Sequence, residues 1–218
     1  MSDYQPHSGY ASLSLVEAYW DALRAGREMP KRAEIDPRGI ENALEHAFIL
    51  ERVASGVARM RIAGTHLHDI MGMEARGMPI TAFFEQECRL KVSGLLEEVF
   101  QTPGCAELMM QSHGSLGQPS LEARMILLPL KSDLGDVSRI LGCLVCVGDL
   151  GGAPRRFDLT STTFRNVSDA NGPRMPLPQL EVKGFGERPQ PIVQPQAIAE
   201  EPAQPSWPPY LRLVKSDS

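Results

Sequence analysis

Apolar and polar positions change rhythm several times along the 218-residue chain, and each change marks an element. In "SLVEAYWDALRAG", Leu15, Tyr19 and Ala22 form one stripe at helical spacing, and Val16, Trp20 and Leu23 form a neighbouring one. Residues three and four apart share a helix face, so the two stripes merge into one broad apolar surface. Ser14 and Glu17 stand at capping-box spacing and Gly26 supplies a stop, which bounds this first helix. Residues 1–12 before it are expected to be flexible, and 13–45 to form an N-terminal helical segment. A second, short helix is predicted after Asp36 and Pro37, an N-cap and a first-turn proline, with Ile40 and Leu44 facing one side.

The rhythm then shortens to two. "HAFILERVAS" and "VARMRIAG" read as strands meeting in a tight turn at Ser55-Gly56. Arg59 and Arg61 alternate with Met60 and Ile62, which predicts that Met60 and Ile62 share a buried face. "THLHDIMG" fits one or two helical turns, and "ITAFFEQECRLKVSGLLEEVFQTPG" a turn followed by a longer helix. Three more strands follow in "CAELMMQSHG", "SLEARMILLPL" and "SRILGCLVCVGDL", the last nearly all apolar, as a central strand should be. Residues 46–150 are therefore expected to form the core domain. Composition shifts after Leu150. Residues 151–218 hold eleven of the eighteen prolines. Within 151–170, "RFDLTSTTFRNV" fits an added edge strand, whereas 171–218 has too little apolar content to offset its chain entropy and is expected to be a disordered tail. That tail regains aromatic and aliphatic character at its end, in "WPPYLRLVKSDS".

Two strands, several helices, then three antiparallel strands make an α+β order. In that order stand "AYWDALRAGREMPKRAEIDP", "FILERV", "RMRIAGTHL" and "GMEARG". These blocks resemble the successive signatures of a short bacterial family of single-PAS proteins, over roughly Val16 to Leu150. Ala75 stands where that family is expected to carry leucine. The resemblance implies a five-stranded antiparallel sheet with short helices crossing one face and a cavity between the two layers.

Composition narrows the function classes. Apolar residues are 42% and charged residues 22% of the chain, ordinary values for a domain with a buried core. The formal charge of −5 argues against an electrostatic grip on nucleic acid. No apolar run is long enough to span a bilayer, and the first residues lack the pattern of a signal peptide, so a cytoplasmic location is expected. Cys143 and Cys146 have the spacing of a metal knuckle. They lie in a predicted strand, however, where residues three apart face opposite ways.

Candidate chemistry concentrates in "RMRIAGTHLHDIMGMEARG". Gly64, Gly72 and Gly77 do not have the dinucleotide-binding spacing and read instead as ends of a strand and of short helices. His66 and His68 diverge by about 200° on a helix and cannot chelate one ion together. The predicted long helix carries no histidine to ligate haem, and His113 at a strand end is a poor substitute. "ECRL" around Cys88 superficially echoes the block of flavin photosensors, but Ala75 occupies the place of their reactive thiol. Neither haem nor flavin is expected. No G-x-S-x-G elbow and no H-E-x-x-H pair is present, and an enzyme is not expected.

What remains is an apolar interior rich in methionine, a side chain that adapts its shape to what it contacts. Met60, Ile62, Phe83, Met110 and Met125 are the candidate lining of a cavity for a small apolar or amphipathic ligand, with Met109 beside them. Val16, Tyr19, Trp20 and Leu23 are the candidate interface for a homodimer or a partner protein. The expected function is a regulatory PAS protein that senses a ligand and acts through a partner carrying the output. The alternative is a ligand-free dimerisation adaptor.

Overall fold

The computed structural model describes residues 8–102, 104–114 and 118–167, and the backbone of 175–176. The disordered tail expected at 171–218, with its terminal "WPPYLRLVKSDS", otherwise lies outside the described residues, as do residues 1–7. A single 3-10 turn, Ser8–Tyr10, leads into helix α1, Ala11–Arg24. The helix therefore begins inside the stretch assigned to a flexible N-terminus. Ser14 lies within α1 rather than at its cap, because apolar contacts of Leu13 and Val16 extend the helix one turn further back. Ala25 ends α1 in the left-handed conformation, one residue before Gly26.

The Asp36 carboxylate accepts from the Arg38 N–H and Pro37 occupies the first turn, as expected, but the resulting segment Pro37–His46 is 3-10 in character. It buries Ile40 and Ala43. Leu44 stays exposed, because three residues per turn replace the α-helical four-residue step. The hairpin β1 (Ala47–Ala54) and β2 (Val57–Ala63) follows, then α2 (Thr65–Met71), two 3-10 turns, and α3 (Arg89–Gln101). Strands β3 (Gly104–Ser112), β4 (Leu121–Lys131), β5 (Val137–Val147) and β6 (Asp158–Asn166) complete the fold, with a two-residue β7 (Met175–Pro176) beyond.

The sheet order is β2-β1-β5-β4-β3-β6-β7, with every neighbouring pair antiparallel. The count differs from the five strands expected. "DLTSTTFRN" adds a sixth substantial strand on the outside of β3, where Phe164 lies across Gly104 and Ala106. The meander puts β4 and β5 at the centre, and both are almost wholly buried along their middle.

Both faces of this sheet are covered. The inner face carries Phe48, Leu50, Met60, Leu108, Met125 and Leu144 against α2, α3 and the turn Ile80–Phe83. The outer face carries Ile49, Ile126, Leu128, Leu141 and Val145 against α1 and the segment behind it. One packing constraint explains a glycine in mid-strand. A Cβ on Gly142 would stand 2.2 Å from the Phe48 ring, so the ring lies flat on the inner face only because position 142 has no side chain.

Candidate functional site

The inner layer is assembled at the junction that opens α2. Gly64 packs against the preceding segment so closely that a Cβ there would meet the Glu45 carbonyl at 2.1 Å. The chain then turns directly from β2 into α2, which Gly72 closes in the left-handed conformation. His66 and His68 leave this helix in different directions, as their spacing requires. The Ala75 N–H donates to His68 Nδ1 at 3.1 Å, while Nε2 stands 3.3 Å from the Ala63 carbonyl. These two contacts tie the "MEARG" loop to the end of β2. His66 packs edge-on to His46, with ring centroids 4.6 Å apart, and its Nε2 faces the Cys146 N–H at 3.4 Å. Burial, reinforced by the neighbouring His46, holds the His66 pKa below its usual 6.5. Both histidines are clamps in the α2 junction, and no cluster of three metal-ligating side chains occurs among the described residues.

Four of the five nominated cavity residues meet in the inner core. Met60, Phe83, Met110 and Met125 are all within 3% of complete burial. Ile62 does not join them and is 47% exposed. The β1–β2 ladder pairs Leu50 with Met60 but Ile49 with Ile62, so Arg61 is an extra residue at a bulge. A bulge shifts the two-residue rhythm by one and turns Ile62 to the outer face, at the sheet edge. Met109 is also exposed, since adjacent strand residues face opposite sides and Met110 takes the interior.

The four nominated interface residues are committed within the chain. Val16 and Trp20 are buried on the outer face of the sheet, and Trp20 Nε1 donates to the Pro129 carbonyl at 2.9 Å. The Tyr19 hydroxyl accepts from the Asp36 N–H at 2.8 Å and donates to the Asp36 carbonyl at 3.0 Å. Leu23 packs on the edge of the same cluster. The apolar surface of α1 nominated as an interface therefore packs on the chain's own sheet, with Val16 and Trp20 fully buried there and Tyr19 and Leu23 partly so.

Residues 151–157, read from sequence only as the approach to an edge strand, form part of the inner wall. The Arg155 N–H donates to the Ile70 carbonyl at 2.8 Å, and the Phe157 N–H to the Phe83 carbonyl at 2.9 Å. The Glu85 N–H returns to the Phe157 carbonyl at 3.0 Å. This strap stitches α2 to the turn before α3, and Phe157 is fully buried beneath it. The signal available in sequence was "RRF", an aromatic beside two cations after a proline, which has no periodicity to identify its role.

Electrostatics add further ties. Glu97 on α3 accepts from the Gly56 N–H at 2.8 Å and pairs with Arg52, locking the hairpin turn onto α3. The Gly56 N–H, with help from Gln101 and Arg52, holds the Glu97 carboxyl below its usual range. Burial pushes the thiols of Cys105, Cys143 and Cys146 up to about 12, so all three are neutral near pH 7. Cys143 faces the outer cluster and Cys146 the inner one, as strand geometry requires.

A surface cleft lies away from the four buried candidates. A cleft of about 400 Å³ is lined by Glu85, Glu87, Ser112, His113, Arg156 and Asp158, outside the strap. Crevices of about 20 and 10 Å³ flank Cys105 beneath α1, large enough only for water. No helix among the described residues is long and apolar enough to cross a membrane.

A comparison with curated protein sequences returns no match. The profile of the PAS domain family matches residues 9–145, which spans α1 through almost all of β5. With more than half of its length under that profile, and with the antiparallel sheet, helical layer and strand order described above, the chain belongs to the PAS domain family.

Proposed function

We propose that this PAS domain is a regulatory sensor whose ligand lodges between the inner sheet face and the helical layer. The observation that carries this reading is the methionine content of that interface. Met60, Met71, Met110 and Met125 are all buried in one cluster with the strap residue Phe157. Unbranched thioether side chains repack around an occupant at lower cost than branched ones, so such a core can accept a ligand without losing its sheet. Membership of the PAS family supports a signal-sensing role. Output would pass to a partner protein through movement of the strap and α2, which are joined by the Arg155–Ile70 backbone bond.

A second reading, a ligand-free adaptor, has its own support in the near-complete burial of the same methionines. Native mass spectrometry of the purified full chain separates the two. A stoichiometric small molecule, released on denaturation, is the expected result for the sensor. An empty chain whose melting temperature no small-molecule library raises would establish the adaptor instead. The same spectrum reports the oligomeric state.

A further inference from the structure

Arg155 is the most unusual side chain in the fold. It is 1% exposed, and among the described residues only its Nη2 has an acceptor, the Pro119 carbonyl at 2.6 Å. Nε and Nη1 are buried and have no hydrogen-bond partner among the described residues. Arginine stays protonated in proteins, so a full positive charge with unused donors lies inside the domain. Burying a charge without a counter-charge is costly, and a hydrogen-bonded oxyanion removes that cost.

The position of this charge defines what fits against it. The strap seats Arg155 at the end of α2, and its guanidinium reaches the Pro119 carbonyl just ahead of β4. Four residues on from Pro119, Ala123 of β4 pairs with Met110 of β3, a small residue beside a flexible one. We propose that Arg155 anchors an oxyanion subsite at this end of the inner core, and that the ligand is a small monocarboxylate with an apolar body. The carboxylate accepts from the free guanidinium donors. The hydrocarbon part lies over Ala123 and displaces the Met110 and Met125 side chains. A single negative charge matches a single guanidinium; a dianion would leave one charge uncompensated in the same apolar surroundings. This inference rests on the sensor reading above and names its ligand class.

The test uses the full chain with octanoate and its neutral analogue octanamide as probes, in calorimetric titrations of the wild type, Arg155→Met and Arg155→Lys. The wild type is expected to bind octanoate at least about tenfold tighter than octanamide, in keeping with hydrogen bonds to a charged group. Arg155→Met should abolish that preference while its ligand-free melting temperature holds or rises, because an uncompensated buried charge has been removed. A purely structural arginine would give the reverse: a lower melting temperature and an unchanged preference. Arg155→Lys keeps the charge and should retain part of the preference, which covers the case in which the methionine variant does not fold. In the wild type, the Arg155 Nε–H resonance should shift on adding octanoate and stay fixed with octanamide. Equal affinity for both probes with that resonance unmoved overturns the subsite and leaves the sensor standing. Binding of neither probe to a chain that is also empty by native mass spectrometry removes both.

Discussion

Trp20 shows how much one side chain contributes here. Its indole is buried on the outer face and its Nε1–H satisfies the Pro129 carbonyl in mid-sheet. Trp20→Ala opens a large cavity and orphans that carbonyl, and should cost about 3–5 kcal/mol in denaturant unfolding. Met60 and Ile62 offer a sharper contrast, because their sequence context is nearly the same. Met60→Ala should cost about 2–5 kcal/mol, whereas Ile62→Ala should fall within about 0.5 kcal/mol of wild type. His66 supplies a pH dependence. Its pKa is depressed in the folded state, so the unfolded chain binds the proton more readily. The stability it contributes is complete above about pH 6.5 and is lost as pH falls through the lower folded value. Unfolding free energies measured from pH 7.5 to 5 should decline for the wild type and flatten in His66→Gln.

At the scale of elements, α1 and the hairpin behave differently from their sequence signals. Amphipathic spacing correctly marks α1 as a helix with one buried face, but it is blind to what covers that face. The uncovered outer surface of β4 and β5 lies more than a hundred residues away in sequence, and it takes the helix. The hairpin was legible because Ser55-Gly56 is local turn chemistry; the bulge at Arg61 was not, because a bulge has no composition of its own. Gly142 tests the close approach of β1 to β5. Gly142→Ala drives a methyl group into the Phe48 ring and should destabilise the domain by about 1–3 kcal/mol, visible as a lowered melting temperature.

At the scale of the whole molecule, two layers of helix enclose one sheet and leave the α1 face unavailable. Val16→Asp should therefore impair folding, read as loss of the cooperative melting transition, rather than convert a folded dimer into folded monomers. The strap is the element that closes the inner layer. Its backbone bonds to Ile70 of α2 and to Phe83 hold it over the methionines of the inner core.

Several features followed from sequence alone because their causes are local. Period-two and period-3.6 patterns, the Asp36-Pro37 start and the Ser55-Gly56 turn act within a few residues, and together they supplied the α+β order and four of the five inner-core candidates. The sixth strand was foreshadowed by "RFDLTSTTFRNV" for the same reason. Only the tertiary structure decided which surface covers Trp20, which way Ile62 turns, and that Arg155 lies buried with unused donors. Those outcomes depend on pairings between distant segments, where register and long-range burial outweigh anything a residue's immediate neighbours dictate.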